Sequence, residues 1–378
     1  MPPKRTPGPE LDRWWPRLTA VWREAAGLPS GPSARLSPDE ERTVVRGMQK
    51  LSHGLTRERR LAGEDYFRAP DLLGAYLLYF WPLSYLQAFH TLRRLPRVPQ
   101  SWLELGAGAG PLAAAAFDLG ARRATFADRS RRILRLADRL AQLAGLPHDC
   151  REWNPLDETR LSGSFDAIGF QHVLNELWSG APDRIRRRTA LLAGLRPLLR
   201  RSGWLVILEP ALTATSRDLL HVRNQALAEG FGLAAPCLTP APCPALVPPV
   251  DSCHQEWEWQ PGAFIKRLII RAGFKKETLK ASLLVLTPAP DSRPEAGNED
   301  FLIVSERMRS KNGRWRFLAC GPAGRVGLAL HPRDVSDSNR VFPDLRRGDL
   351  IRLRGAEASA AGFRLTSAAI VTRLHPHT

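Results

Sequence analysis

The sequence predicts an α/β fold: a parallel sheet with helices on both faces, preceded by a helical N-terminal region and followed by a small β-barrel. Three observations carry this. From Ser101 onward, short apolar runs alternate with segments of helical period, the pattern of strands joined by crossover helices. The first run leads straight into a glycine-rich turn, Gly106-Ala107-Gly108-Ala109-Gly110, a device by which such sheets receive a cofactor. Beyond residue 300 the pattern becomes strand-like alternation broken by Gly and Asp, as in small barrels of the oligonucleotide-binding (OB) type.

Residues 1–97 are expected to be helical. Leu11, Trp14, Trp15, Leu18, Val21 and Trp22 recur at helical spacing, and Ser37-Pro38-Asp39-Glu40 reads as a helix start. The apolar stretch from Leu72 to Phe89 is about long enough to span a bilayer. It contains Ser84, Gln87, Pro82 and three tyrosines, so a buried or amphipathic helix pair broken near Pro82 is expected instead. Arg57, Arg59, Arg60 and Arg68 make the segment before it basic, as on a solvated helix face.

Residues 98–290 are expected to hold the sheet, with Trp102–Leu105, Arg123–Ala127, Phe165–Phe170 and Trp204–Leu208 as strands. Residues 235–260 are rich in Pro and Cys, and the prolines predict a loop without regular structure. A helix from Gly262 to Ala272 and a strand from Ser282 to Thr287 follow, then a polar break from Pro288 to Glu299. In the barrel, residues 300–378, the strands are Trp315–Cys320, Gly324–Leu330, Asp349–Leu353 and Phe363–Leu374. The sequence carries no internal repeat.

A chain of 378 residues fits two or three domains, and 43% hydrophobic with 25% charged residues is ordinary for a folded protein. Its formal charge of +17 comes from 55 Lys and Arg against 38 Asp and Glu. Such a field suits a polyanion, nucleic acid first, unless it only reflects arginine-favouring codon usage. The start Met1-Pro2-Pro3-Lys4-Arg5 lacks the apolar core of a secretory signal. A cytoplasmic location and reduced thiols are therefore expected for the five cysteines.

The glycine turn admits two cofactor classes. Asp128 closes the next strand, where a carboxylate can accept both ribose hydroxyls of a nucleotide, NAD included. The third glycine of a dinucleotide fingerprint would fall on Pro111, however, and Glu104 precedes the glycines. A carboxylate there suits the cationic sulfonium and amino groups of S-adenosylmethionine better than a pyrophosphate. The sheet is thus read as Rossmann-like, of the class I S-adenosylmethionine methyltransferase kind. Its expected cofactor-binding residues are Glu104, Gly106, Gly108, Gly110, Asp128, Asn154 and Gln171.

Two further strand ends point to the same cleft. The run Phe165–Leu177 sets His172, Asn175 and Glu176 beyond a strand's carboxyl end, and Leu205–Pro210 does the same for Glu209. An in-line methyl transfer needs mainly positioning. If a base is used, Glu176 or His172 supplies it, which makes His172, Asn175 and Glu176 the expected catalytic residues.

Cys237, Cys243 and Cys253 are spaced C-x5-C-x9-C, and Cys320 lies in the final domain. Four thiolates can hold zinc or an iron–sulfur cluster. The tight C-x2-C pairs usual for zinc are missing, and His254 could replace a cysteine in a zinc site, although adjacent residues seldom ligate one ion together. Spacing alone leaves zinc, a cluster and unrelated thiols open. Cys150, in Pro147-His148-Asp149-Cys150, is read as structural.

Together these residues resemble a known family: the methyltransferase-like proteins of the small ribosomal subunit, of the mitochondrial ribosomal small-subunit protein twenty-two type, which has bacterial members. The resemblance spans roughly residues 65–330. It rests on the order of five elements: the helix with Tyr76-Leu77 and Pro82-Leu83-Ser84-Tyr85, the Glu104–Gly110 turn, Val173-Leu174-Asn175-Glu176-Leu177, Glu209-Pro210 and the cysteine loop. It implies an S-adenosylmethionine-dependent, methyltransferase-like protein acting on ribosomal RNA or in small-subunit assembly, here expected as a monomer without a membrane. It also implies a [4Fe-4S] cluster on Cys237, Cys243, Cys253 and Cys320, with zinc as the alternative. Leu238-Thr239 replaces the family's usual Pro-His after the first loop cysteine, and Ala211 a frequent Gly after Glu-Pro. A non-enzymatic assembly scaffold is the rival use. Radical cleavage of the cofactor is a third, which needs three closely spaced cysteines and an open iron.

Overall fold

A computed structural model of the chain describes residues 9–29, 34–54, 67–156, 161–259, 261–290, 297–360 and 362–374. Arg57, Arg59 and Arg60 of the basic segment lie outside these residues.

Five strands run parallel in the order β3-β2-β1-β4-β5: β1 (Ser101–Leu105), β2 (Arg123–Asp128), β3 (His148–Glu152), β4 (Phe165–Gln171) and β5 (Leu199–Pro210). Three more, β6 (Gly232–Ala235), β7 (Gln255–Glu258) and β8 (Thr278–Thr287), complete the sheet antiparallel. β8 pairs with β5, and β6 and β7 lie one after the other along the far edge of β8. The segment carrying three of the cysteines joins those two short strands. This is the expected Rossmann-like sheet.

Both faces of β1, β4 and the second half of β5 are buried, which is why these strands read as continuous apolar runs. On one face Trp102, Trp204, Val206 and Leu208 share a core with α5 (Pro111–Asp118), α6 (Arg131–Ala144) and the N-terminal helices. On the other, Leu103, Leu105, Leu205 and Ile207 pack with α7 (Arg184–Leu195) and α8 (Thr213–Ala228).

The N-terminal helices are part of that first core. They are α1 (Pro9–Ala26), α2 (Pro38–Ser52), α3 (Pro70–Ala75) and α4 (Trp81–Leu92), joined there by α9 (Ala263–Ala272). Ser37 and Glu40 form a reciprocal capping box at the start of α2. Trp14 of α1 and Tyr85 of α4 both donate to Asp118 at the end of α5, at 2.8 and 2.5 Å.

Two local expectations are corrected. The Leu72–Phe89 stretch is not broken at Pro82: α3 passes through a π-helical turn, Tyr76–Phe80, directly into α4. The Trp81 N–H reaches back five residues to the Tyr76 carbonyl, and Pro82, which has no N–H to give, falls in the first turn of α4. Among the described residues no helix is long and apolar enough to cross a membrane. The second correction is β7, which lies inside the stretch expected to be irregular. The prolines end at Pro249, and Gln255 and Trp257 point inward in strand alternation.

The C-terminal strands are β9 (Asp300–Ile303), β10 (Met308–Arg309), β11 (Trp315–Gly321), β12 (Gly324–Leu330), β13 (Leu350–Arg354), β14 (Glu357–Ser359), β15 (Gly362–Leu365) and β16 (Ile370–Leu374). Their order is β14-β15-β12-β11-β9-β13-β16, with β10 on β11. Phe301, Ile303, Phe317, Leu328, Phe342, Ile351 and Leu365 form its core. Among the described residues no ladder joins β14 to β16, so the strands form an open half-barrel where a small OB-like barrel was expected. The run Phe363–Leu374, expected as one strand, is two, which pair with β12 and with β13 in different halves of the sheet.

Candidate cofactor site and cysteine cluster

A cavity of about 1090 Å³ lies beyond the carboxyl ends of β1, β2, β4 and β5, where ligands of such sheets bind. All the expected cofactor and catalytic residues except Gly110 line it: Glu104, Gly106, Gly108, Asp128, Asn154, Gln171, His172, Asn175 and Glu176.

The turn itself is left-handed at Gly106, Gly108 and Gly110, with φ of 63°, 53° and 74°, a conformation costly for residues with a Cβ. At Gly108 a Cβ would also run into the Tyr76 hydroxyl. The space denied to a side chain therefore belongs partly to the protein, where the sequence assigned it to the cofactor. Gly110 caps α5 instead of facing the cavity. Asp128 holds the turn from β2: its two oxygens accept the N–H groups of Gly108 and Ser130, each at 2.9 Å. Burial raises its pKa, and those N–H donors oppose the rise.

Glu104 has a use the sequence did not reveal. Its carboxylate accepts the Leu112 and Ala113 N–H groups at 3.2 and 2.9 Å, fastening β1 to the first turn of α5. Burial pushes its pKa up to about 8, and the two N–H donors oppose the rise. Asn154 accepts the Leu156 N–H through its side-chain oxygen.

At the end of β4, Gln171 donates to the Ser84 carbonyl at 2.7 Å, and its own buried Oε1 has no protein partner. His172 follows with φ of 60°, a strained backbone of the kind that gathers at functional sites. Its Nε2 lies 3.0 Å from Gln87 Oε1, while the Gln87 amide nitrogen donates to the Lys280 carbonyl. Gln87 oxygen is thereby the acceptor, Nε2 carries the proton, and the unpartnered Nδ1 is bare. Burial, helped by Lys276, brings the His172 pKa down to about 4. A neutral imidazole of that basicity orients a ligand better than it removes a proton.

Asn175 is held by Glu209, which the sequence placed at the same cleft, and by Arg188, which it did not reveal. Glu209 accepts its side-chain amide at 2.5 Å and the Leu174 N–H at 2.9 Å. Arg188, 2% exposed, donates to the carbonyls of Asn175 and Leu177 at 3.0 Å each and to Asp218 at 2.8 Å. Arg188 sits in the run Arg184-Ile185-Arg186-Arg187-Arg188, where nothing local separates it from its solvated neighbours. Tyr76, Phe67 and Phe80 were missed as cavity walls. Aromatic density around the π-helical turn was the available signal.

Cys237, Cys243, Cys253 and Cys320 are free thiols brought into one electrostatic neighbourhood, three from the loop between β6 and β7 and one from β11. Burial, then the neighbouring thiols, push Cys253 up to about 12. Arg223 opposes the burial-driven rise in the Cys237 pKa, and Arg325, which reaches Asp251 at 2.9 Å, does the same for Cys320. Arg217 donates to the carbonyls of Ala245, Leu246, Pro248 and Asp251, which fixes the loop to α8. Two arginines beside four sulfur donors would offset the charge of an anionic thiolate centre, but no three of these sulfurs lie within 4.8 Å of one another. His254 turns toward Glu256, with Nε2 3.9 Å from Oε2. Cys150, read as structural, groups instead with His148 and Asp138, their ligand atoms within 4.8 Å of one another.

Residues 81–261 match the family described as mitochondrial small ribosomal subunit Rsm22, so the resemblance seen in the sequence holds over that segment. No curated protein matches the chain. Similar solved structures include a methyltransferase from Pyrococcus furiosus, 12% identical, covering 54% of this chain and 83% of that one with a TM-score of 0.36. An S-adenosylmethionine-dependent methyltransferase from Leishmania major is 12% identical, with coverages of 66% and 85% and a TM-score of 0.38. A ribosomal protein L11 methylase from Lactobacillus delbrueckii is 17% identical, with coverages of 57% and 80% and a TM-score of 0.33.

Proposed function

We propose that this chain, similar over residues 81–261 to the mitochondrial small ribosomal subunit Rsm22 family, is a cytoplasmic S-adenosylmethionine-dependent methyltransferase acting as a monomer on ribosomal RNA of the small subunit. One observation carries the reading: the glycine turn with Asp128 and the strand-end residues Gln171, His172, Asn175 and Glu176 line a single cavity. Cofactor and acceptor can therefore share one cavity. When bound, S-adenosylmethionine supplies an electrophilic methyl group. Asp128 and the turn bind its nucleoside, and Gln171 and His172 offer acceptors that orient the nucleophile. Glu176, which lines the same cavity, takes the proton that the acceptor loses.

Cys237, Cys243, Cys253 and Cys320 would hold a [4Fe-4S] cluster, with zinc as the alternative occupant. Because β11 supplies one ligand and the β6–β7 loop the other three, the centre would tie the C-terminal half-barrel to the main sheet, and its loss would loosen that tie. The half-barrel, OB-like in its strand pattern, would help hold RNA beside the cavity.

The scaffold reading keeps one point in its favour: His172, a natural base by position, is held neutral and weakly basic. Calorimetry tests the common premise. S-adenosylmethionine should bind the wild-type protein, and Gly108→Arg should abolish binding; unchanged affinity in that variant would remove the pocket assignment.

A further inference from the structure

The cavity has a cationic end. Lys275, Lys276 and Lys280, on the segment entering and beginning β8, line it together with His172 and Gln87. Lys280 is answered by Glu256, 3.3 Å away, and Glu256 is also approached by Arg347 at 3.8 Å. Of the other carboxylates here, Glu277 and Glu306 are both exposed. Lys276 is different. It is half-buried, and it has no carboxylate partner among the described ion pairs. Burial lowers its pKa, Lys280 lowers it further, and its charge is felt at His172.

A partly desolvated cation without a counter-charge is costly to keep, and it becomes useful when a ligand brings the missing anion. We propose that Lys276, flanked by Lys275 and Lys280, is an anion subsite that takes a backbone phosphate of the acceptor nucleic acid while the target base enters beside His172. An ammonium on a flexible stem suits a phosphate as a point charge. Glu306 of the C-terminal half-barrel borders the same end, so a strand lying against both parts of the protein would pass over these lysines. The inference rests on the methyltransferase reading for its choice of ligand, because a nucleotide substrate must bring phosphate close to the cavity.

The test uses the full-length protein with a fluorescent, mixed-sequence single-stranded oligoribonucleotide, read by anisotropy across a salt series. Lys276→Met should weaken binding roughly tenfold and reduce the salt slope by nearly one charge, about 0.7 for a single strand, with Lys276→Arg restoring both. Lys266→Met, an exposed lysine on α9, should change affinity less than about twofold. Calorimetry should show S-adenosylmethionine binding unchanged in Lys276→Met. Wild-type RNA affinity and slope in a folded Lys276→Met protein would overturn the proposal. So would an equal loss in Lys266→Met, or a loss of cofactor affinity, which would assign Lys276 to the cofactor carboxylate. If the wild-type protein binds RNA through Lys276 but not S-adenosylmethionine, the subsite stands and the methyltransferase reading falls.

Discussion

The Glu209 carboxylate, at the end of β5, accepts the Asn175 side-chain amide at 2.5 Å. That bond ties two neighbouring strand ends together and sets the loop from His172 to Trp178. Both of those residues have positive φ, 60° and 54°, a strain that persists only where surrounding groups hold it. Glu209 and Arg188 are the groups that do so.

Glu209 should make stability depend on pH. Burial pushes its pKa up to about 8 from an ordinary 4.5, so the folded chain binds the proton more tightly than the unfolded one. This contribution is complete below the unfolded value and is lost as pH rises through about 8. The melting temperature should fall between about pH 4.5 and pH 8. Glu209→Gln should flatten part of that fall, Glu104 retaining the rest through its own raised pKa. An unchanged slope in the variant would contradict this.

Arg188 should matter more than its neighbour. Arg188→Met strands two loop carbonyls and removes a buried cation from Asp218, a loss of about 3–5 kcal/mol. Arg184 also binds Asp218 at 2.8 Å, but its side chain is 35% exposed, so Arg184→Met should cost no more than about 1 kcal/mol. Chemical denaturation of the two variants checks the order, and equal losses would count against the buried network.

Gly108 and Tyr76 should be coupled. Gly108→Ala places a Cβ at a left-handed φ, costing about 1–2 kcal/mol, and presses it on the Tyr76 hydroxyl. Cofactor affinity should drop at least tenfold by calorimetry. Tyr76→Phe removes the obstructing oxygen, so the double variant should be more stable than the sum of single losses allows. Strict additivity would show that Tyr76 does not bound the turn.

The proposed cysteine centre would have a spectroscopic signature. Protein purified without oxygen should be brown, with iron and sulfide in equal amounts, and Cys243→Ser and Cys320→Ser should both lose the colour. Retained colour in Cys320→Ser would remove β11 from the ligand set. Colourless protein with stoichiometric zinc would replace the cluster by zinc.

The sequence exposed what burial on both faces imposes. Strands β1, β4 and β5 were legible because two apolar faces leave a continuous run. β3, His148-Asp149-Cys150-Arg151-Glu152, was not, because it is an edge strand with a largely exposed pattern. The cavity residues were readable from topology, since any polar residue just past a parallel strand faces the same crevice. What each side chain does there was less readable. Glu104 is long enough to turn back onto α5, and only the backbone path of that helix reveals it. Arg188 differs from Arg186 and Arg187 by which side of α7 it occupies. The convergence of the cysteines also depends on long-range packing: β6 and β7 must share one edge of β8, and β11 must come against the loop between them.

The most direct test is methyl transfer itself. Small ribosomal subunits from a strain lacking this protein should be incubated with the protein and methyl-labelled S-adenosylmethionine. The expected result is label in the ribosomal RNA, absent with Gly108→Arg. Unlabelled RNA from protein that still binds the cofactor and the subunit would contradict catalysis and leave the fold as a scaffold.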